Sequence, residues 1–337
     1  MNTKMRLHLL GLPSISSIDE LSDTTHLSKS LIFRLIKYND KFYRVYKLPK
    51  RNGGYREIAQ PSKELKALQA WINRNILDRL EVSPACKGFE RDTSILDNAT
   101  PHVGSNAVLI LDIEDFFPSI TANKVCSLFK RIGYPSQAAA ILAKLCTFKG
   151  RLPQGSPASP KIANLVCLRL DLRILGYVGK RGIVYTRYAD DLTFSGPSTS
   201  SLLKLLYVVK TIINDEGFEI NNYKTRIIGP SRQHKITGLI VNNSFAGIGH
   251  RQMRVIRSKV HRLCKYDAYS VPQKELNHVM GWLAFVKGVD TKRSLILYRY
   301  IQGLKEKYPD SGIQKLKIDF LLNKPSKRSI ASGEPDL

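Results

Sequence analysis

The sequence predicts an α+β fold, with short strands in its first two thirds and helices in its last third. Residues 107–113 (AVLILDI) form an almost wholly apolar run, which is typical of a buried strand. Residues 183–195 (IVYTRYADDLTFS) have the pattern of strand, tight turn and strand. Apolar residues then recur at helical spacing over about 250–266, 273–287 and 293–307. A chain of 337 residues can bury a core large enough for all of these elements.

Further elements are predicted between these landmarks. Residues 17–37 predict two short helices, and 62–80 predict an amphipathic helix. Residues 42–60 predict a β-hairpin, because the turn Asn52-Gly53-Gly54 supplies the positive φ angles that a tight reversal needs. The remaining predicted elements are helices over about 121–131, 137–147, 161–176 and 200–214, and short strands at 225–228 and 235–241.

The charge balance indicates a polyanionic partner. The chain has 53 Lys and Arg against 28 Asp and Glu, a net charge of +25. A field of this sign attracts nucleic acid or an anionic membrane surface, although a basic surface can also serve solubility alone. No apolar segment approaches the about 20 residues of a membrane span, and residues 9–12 are too short for a signal-peptide core. Nucleic acid is therefore the expected partner, and no membrane is expected.

The cysteines indicate a reducing compartment. They are odd in number and widely spaced, and no CxxC motif occurs among them. This pattern favours buried, reduced thiols over a disulfide frame or a zinc site. The sequence therefore predicts a cytoplasmic protein. The five positions are Cys86, Cys126, Cys146, Cys167 and Cys264.

Three aspartates are candidates for the catalytic site. Asp112 lies near the end of the predicted buried strand, and Asp190 and Asp191 lie at the tip of the predicted hairpin. An isolated Asp-Asp pair is usually an ordinary solvated turn. If the strand of Asp112 lies beside the hairpin, however, the three carboxylates converge and repel one another. Mg²⁺ relieves such repulsion, and two ions about 3.5–4 Å apart can serve phosphoryl transfer.

Five sequence blocks resemble the reverse transcriptase family, in the order that the family has them. The hairpin tip 188–191 (YADD) matches the YxDD box, and 112–120 (DIEDFFPSI) resembles the first palm motif. The block 152–160 (LPQGSPASP) resembles the segment beneath the incoming nucleotide. The remaining two are 217–221 (GFEIN) with Lys224, and Arg56-Glu57-Ile58 with 61–69.

Two more blocks resemble the retron group of this family. Residues 98–102 (NATPH) match its NAxxH signature, and 236–238 (ITG) match its VTG signature with Ile in place of Val. The resemblance implies a right-hand polymerase with fingers, a palm whose antiparallel sheet is of split-βαβ type, and an α-helical thumb. The expected regions are 1–105 (N-terminal region and fingers), 106–242 (palm, with a fingers segment at about 121–160), 243–323 (thumb) and 324–337 (a polar tail, with a composition that indicates disorder or a partner contact).

The resemblance also assigns roles within the site. Asp112 and Asp190 are the primary metal ligands, with Asp191 and the Ile113 carbonyl as further ligands. Phe117 takes the place of the aromatic that excludes a ribose 2′-OH, whereas Phe116 is expected in the core. Three more residues are assigned to the nucleotide, each beside a simpler alternative. Gln154 is expected to contact the nucleotide, or else to be a turn residue hydrogen-bonded to its own loop. Arg56 is expected to bind the triphosphate, or else to be a solvated charge of the hairpin. Lys224 is expected to donate a proton to the leaving pyrophosphate, or else to pair with a nearby acid.

A basic helix face and the NAxxH block are the expected nucleic-acid contacts. Five basic residues recur at helical spacing opposite an apolar stripe, and such a face either follows phosphates or is simply solvated. These residues are His250, Arg254, Arg257, His261 and Lys265. Asn98 and His102 are expected to contact RNA by resemblance, with a capped loop as the alternative.

The resemblance implies Mg²⁺-dependent DNA synthesis on an RNA template. The expected partners are deoxynucleotides, a cognate structured non-coding RNA (msrRNA) and an effector protein encoded nearby. Priming from an internal guanosine 2′-OH would give a branched RNA–DNA hybrid, msDNA, for anti-phage defence. The alternatives are another bacterial reverse transcriptase, of intron or abortive-infection type, and a scaffold that restrains the effector.

Overall fold

The computed structural model describes residues 3–50, 53–242 and 244–322. Its strands are β1 (Tyr43–Pro49), β2 (Tyr55–Pro61), β3 (Ala107–Asp112), β4 (Val184–Tyr188), β5 (Asp191–Gly196), β6 (Arg226–Ile228), β7 (Lys235–Ile236) and β8 (Leu239–Ile240). Its first helices are α1 (Thr3–Leu9), α2 (Ile18–Thr25), α3 (Lys29–Lys37), α4 (Lys63–Asn75), α5 (Ile95–Ala99), α6 (Phe116–Ser119) and α7 (Ala122–Ile132). The later helices are α8 (Ser136–Cys146), α9 (Ser159–Val166), α10 (Leu168–Val178), α11 (Thr199–Asp215), α12 (His250–Arg262), α13 (Gln273–Val289) and α14 (Thr291–Lys307).

The two predicted strand features lie side by side in one sheet. Its strand order is β4-β5-β3-β6, so the strand that ends at Asp112 neighbours the second strand of the hairpin. Every residue of β3 except Ile110 is buried, as its apolar run predicts. Both predictions are confirmed, and the condition for the aspartates to converge is met.

The N-terminal hairpin is also confirmed. Strands β1 and β2 pair antiparallel, with Tyr43 opposite Pro61 and Pro49 opposite Tyr55. Gly53 and Gly54 have φ angles of 84° and 76°, the positive values that the turn was predicted to need. Asn52 lies outside the described residues.

Two predicted helices are shorter than expected. The segment 161–176 belongs to two helices, because Cys167 has ψ near zero (−1°) and interrupts the helix between α9 and α10. The helix predicted over 62–80 ends at Asn75, since Ile76 leaves helical geometry and a separate 3₁₀ turn, Leu77–Arg79, follows. The continuous apolar pattern at both places conceals the break.

The chain divides into two compact units. The first comprises 1–90, 109–194 and 200–227, and the second comprises 91–108, 195–199 and the chain from 228 onward. In the second unit α12, α13 and α14 pack on one another, so the three predicted C-terminal helices are confirmed. The predicted limits of fingers, palm and thumb stay predictions, and the predicted tail 324–337 lies outside the described residues. Within residues 3–50, 53–242 and 244–322, no helix combines the length and the apolar character that crossing a bilayer requires.

Candidate active site

Main-chain hydrogen bonds bring the three aspartates to one end of the sheet. The Ile113 N–H donates to the Asp190 carbonyl at 3.0 Å, which joins the end of β3 to the hairpin tip. On the other side, the Asn221 N–H donates to the Asp112 carbonyl at 2.8 Å. Asp112 is buried, at 6% exposure, whereas Asp190 and Asp191 are half-buried. The positions of the acids therefore follow from strand pairing.

The hairpin tip is a strained turn with a buried support. Ala189 has a φ of 57°, in the left-handed region that non-glycine residues rarely adopt. Arg187 Nη1 donates to the Ala189 carbonyl at 3.2 Å from beneath the turn. Arg187 also binds both carboxylate oxygens of Asp171, at 2.8 and 2.7 Å, and both side chains are fully buried. This bidentate pair fixes the guanidinium, and through it the turn.

The support extends through two more polar residues. Tyr185 Oη donates to Asp171 at 2.8 Å, and Arg187 Nη1 donates to Asn164 Oδ1 at 3.1 Å. Sequence reasoning did not identify this network. One signal was present: Asp171 lies at helical spacing with Ile174 and Val178 on the buried side of α10, and an acid on an apolar stripe indicates a buried partner.

The acids at the tip are electrostatically strained. The pKa of Asp191 is raised to about 6, first by burial and then by the charges of Asp190 and Asp112. Burial also raises the pKa of Asp190, to which the charge of Asp112 contributes. These shifts are those expected of carboxylates that share one site. A cation placed among them would relieve the repulsion.

The donor chemistry fits a hard divalent cation, because carboxylate and carbonyl oxygens are the ligands that such ions prefer. In the described part of the chain, no three His, Cys, Asp or Glu side chains are already gathered as a metal cluster. Instead, Lys224 Nζ donates to both oxygens of Asp112, at 2.9 and 2.7 Å. Of the two roles considered for Lys224, ion pairing is the one that this structure contains.

The other residues assigned to the nucleotide are placed as follows. Phe116 is buried, as predicted, and Phe117 is half-buried beside it, with ring centroids 5.4 Å apart. Gln154 Oε1 is buried without a hydrogen-bond partner among the described residues, while the Gln154 carbonyl accepts from the Ala59 N–H at 2.8 Å. Arg56 is exposed, and its charge only slightly offsets the rise that burial causes in the pKa of Asp190.

The expected RNA contacts of the NAxxH block are not supported. Asn98 and His102 are buried, at 1% and 0% exposure, so neither side chain can reach RNA in this conformation. His102 Nδ1 shares a hydrogen bond of 2.7 Å with Ser195 Oγ, and burial lowers the pKa of His102 to about 4. The block supports the interior of the second unit. The assignment of Asn98 and His102 as nucleic-acid contacts is therefore corrected.

The two faces of α12 are arranged as the sequence predicts. Met253, Ile256 and Val260 are buried. The five basic residues predicted for the opposite side are exposed: His250, Arg254, Arg257 and His261 on α12, and Lys265 in the 3₁₀ turn Leu263–Lys265 that follows it. They line an open cleft of about 720 Å³ in the second unit, where the Arg257 guanidinium lies 4.2 Å from the ring centroid of Tyr300. The cleft has the charge that a phosphate backbone requires.

Comparison with known proteins identifies the family. The profile of the family "Reverse transcriptase (RNA-dependent DNA polymerase)" matches residues 48–241. The retron Ec86 reverse transcriptase of Escherichia coli is 46% identical over 319 residues, which cover 94% of this chain and 98% of that protein. The retron Mx65 reverse transcriptase of Myxococcus xanthus is 35% identical, covering 77% of this chain and 64% of that longer protein.

Solved structures resemble the chain more distantly. Apo telomerase from Candida tropicalis has a TM-score of 0.47 and 12% identity, covering 70% of this chain and 51% of that one. A foamy viral protease–reverse transcriptase bound to double-stranded DNA has a TM-score of 0.44 and 18% identity, covering 77% and 39%. Because both scores lie below 0.5, the family assignment depends on the sequence matches.

The matches and the site agree on one identity. A main-chain hydrogen bond joins the end of β3 to the YADD turn, and the mixed helices and sheet are those of a right-hand polymerase. The retron Ec86 enzyme matches 94% of this chain and the retron Mx65 enzyme 77%. The chain belongs to the reverse transcriptase family, and within it to the retron reverse transcriptases.

Proposed function

We propose that the protein copies part of a structured non-coding RNA into DNA, starting from the 2′-OH of an internal guanosine. The product would be a branched RNA–DNA hybrid, msDNA. The observation that carries the proposal is the hydrogen bond from the Ile113 N–H to the Asp190 carbonyl, which joins the end of β3, where Asp112 lies, to the hairpin tip. It occurs in a chain related to a retron enzyme over nearly its whole length.

We assign the metal site to Asp112, Asp190, Asp191 and the Ile113 carbonyl, with two Mg²⁺ ions as the cations. Bound there, the ions would stabilise the charge that develops on the attacking and leaving oxygens. The supporting observation is the raised pKa of Asp190 and Asp191, since burial and mutual repulsion leave these acids in need of a cation. Lys224 supplies a positive charge to Asp112.

We assign the incoming nucleotide to three further residues. The unpartnered Oε1 of Gln154 offers an acceptor, and the exposed Arg56 guanidinium suits the triphosphate. Exclusion of a ribose 2′-OH is assigned to Phe117, whose ring is half-buried. The exposed basic face of α12 would follow the phosphates of the template–product duplex.

We further propose that the complex of protein, RNA and DNA acts in anti-phage defence with an effector encoded nearby. A cytoplasmic site of action agrees with the cysteines. All five lie in the described part of the chain and are free thiols, as a reducing compartment would keep them.

The test is to identify the nucleic acid that the protein carries. The full chain is expressed with the DNA that flanks its gene, purified, and its nucleic acid is sequenced before and after debranching. We expect single-stranded DNA joined to a guanosine 2′-OH of a structured RNA, and no DNA from the Asp190→Asn variant. Linear, unbranched DNA would instead indicate an intron or abortive-infection type. If Asp190→Asn, without DNA, still restrains the effector, the protein acts as a scaffold.

A further inference from the structure

Phe89 has an unusual backbone conformation close to the active site. Its φ is 63°, in the left-handed region, which is an outlier for a bulky side chain. The residue is also 47% exposed, so burial of its ring does not offset the strain. Strained residues persist only where their surroundings fix them, and they cluster at functional sites. Phe89 therefore requires a physical explanation.

The segment around Phe89 is fixed to the catalytic turn by its backbone. The Lys87 N–H donates to the Arg187 carbonyl at 2.8 Å, and the Arg187 N–H donates to the Ala85 carbonyl at 2.8 Å. At Gly88, an added Cβ would lie 2.8 Å from the Ala189 nitrogen, closer than real Cβ atoms approach. The segment thus packs against the YADD turn with no spare room.

Buried polar side chains hold the same segment from the other side. Asn164 Nδ2 donates to the Gly88 carbonyl and to Glu90 Oε1, both at 2.8 Å. Glu90 also pairs with Lys161 at 2.6 Å, and both side chains are largely buried. Asn164 in turn accepts from Arg187. One network therefore holds both the catalytic turn and the residues that flank Phe89.

The ring of Phe89 lies beside two aromatic residues of the site. Its centroid is 6.2 Å from that of Phe117 and 6.3 Å from that of Tyr188, both in tilted arrangements. These distances are within the range of favourable aromatic pairs. Phe117 and Tyr188 come from different motifs, after β3 and at the end of β4, and Phe89 contacts both. The left-handed backbone is what directs the ring to this position.

We propose that Phe89 is a positioning residue for nucleotide selection, whose ring holds Phe117 and Tyr188 in the places from which Phe117 excludes a ribose. This inference rests on the proposed role of Phe117. Phe89 itself need not touch the sugar. Removal of its ring gives the Phe117 ring freedom to move away, so a ribonucleotide meets less obstruction while the metal ligands stay in place.

The test compares deoxynucleotide and ribonucleotide incorporation by the full-length enzyme on an annealed RNA template and DNA primer. Phe89→Ala removes the ring. Phe89→Asn also removes it, but keeps a residue that tolerates the left-handed region, so it separates loss of the ring from backbone change. Phe89→Tyr keeps the ring. Phe33→Ala is the matched control, because Phe33 lies in α3 with a similar exposure of 51%.

We expect Phe89→Ala and Phe89→Asn to lower the kcat/KM preference for deoxynucleotides about two- to tenfold, the equivalent of one aromatic pair. The change should appear mainly as a lower KM for the ribonucleotide. Phe89→Tyr and Phe33→Ala should keep the wild-type preference. Unchanged selectivity in active Phe89→Ala and Phe89→Asn enzymes would overturn the inference, as would an equal loss in Phe33→Ala.

A second variant tests the attachment of the segment. Gly88→Ala must displace either the segment or the YADD turn, so we expect slower DNA synthesis together with reduced deoxynucleotide preference. Wild-type values for both would contradict the close packing on which the inference depends.

If the wild-type enzyme made no DNA at all, the proposed function would fail first. If Phe117→Val left selectivity unchanged, the role of Phe117 would fail, and with it the basis for Phe89.

Discussion

The palm and the helix α12 hold their charges in opposite ways. In the palm, Arg187 and Asp171 are fully buried and bind each other through two hydrogen bonds. On α12, Arg254 and Arg257 are exposed on a face opposite the core. Charge is costly to bury unless it is paired and well oriented, whereas exposed charge costs little and can adapt. The buried pair fixes the geometry around it, whereas the charges of α12 remain accessible at the surface.

The largest expected effect is at the metal ligands. Asp190→Asn or Asp112→Asn should reduce DNA synthesis at least about a thousandfold, because a cation that stabilises transition-state charge is worth several kcal/mol. Folding should be retained, since the main-chain bonds that place both residues remain. Primer extension with Mg²⁺ measures the activity, and circular dichroism checks the fold. Activity within tenfold of wild type in either variant would contradict the assignment.

Breaking the buried ion pair of Arg187 and Asp171 should have the next largest effect, on stability. Arg187→Met leaves Asp171 buried without its partner, so we expect a loss of about 3–5 kcal/mol in the free energy of unfolding. The matched control is Arg262→Met, which breaks the surface pair with Glu275 and should leave stability within error. Urea denaturation measures both. Equal losses of unfolding free energy in the two variants would contradict the proposed difference between buried and exposed ion pairs.

The buried His102 should make the stability of the protein depend on pH. Its folded pKa of about 4 lies below the usual 6.5, so between these values the unfolded chain binds a proton that the folded chain does not. Stability should therefore fall as the pH decreases from 6.5 to 4, by up to roughly 3 kcal/mol. In His102→Gln this contribution is absent. Denaturation of both proteins at pH 7.5 and 5 tests it, and parallel losses would show that other groups cause the dependence.

The basic face of α12 should show a smaller, salt-dependent effect. If Arg254, Arg257 and Lys265 each contact a phosphate, replacing all three with Gln should lower the slope of log affinity against log salt by about 2.7. Stability should not change, because all three are exposed. Filter binding of a duplex from 50 to 200 mM salt measures the slope. A wild-type slope would mean that this face is only solvated.

The smallest expected effect is at the sugar. Phe117→Val should reduce the preference for deoxynucleotides about tenfold or more, as expected when a pocket loses a group that excludes the larger substrate. Overall activity should persist, because the acids are untouched. Competition between the two nucleotide types gives the ratio. A retained preference in an active enzyme would return Phe117 to a packing role beside Phe116.

Most of the palm could be predicted from local pattern. An unbroken apolar run predicts strand β3, and two acids between apolar strands predict the YADD turn. The α12 faces follow from helical periodicity alone. These features are encoded within a few residues, so the sequence shows them directly. Family resemblance then supplied what spacing could not, namely that the strand of Asp112 lies beside the hairpin.

The sequence-based predictions fail or are incomplete where a residue's hydrogen-bond partner is distant in sequence. Asn98 and His102 were expected to contact RNA by resemblance to the retron signature, but the Ser195 hydroxyl that pairs with His102 is 93 residues away. The partnership of Arg187 and Asp171 likewise depends on how a strand packs on a helix. The break at Cys167 lies within an apolar pattern that fits one long helix. Only the folded chain contains this information.

The hydrogen bond from the Ala59 N–H to the Gln154 carbonyl has a mechanical consequence. It joins β2, the strand that carries Arg56, to the loop that carries Gln154. At the same contact, an added Cβ on Gly155 would lie 2.8 Å from the Ala59 carbonyl oxygen. The strand and the loop therefore cannot slide past each other, and a tilt of the hairpin moves both proposed nucleotide contacts together. The proposed contacts of Arg56 and Gln154 with the incoming nucleotide would therefore form and break together rather than one at a time.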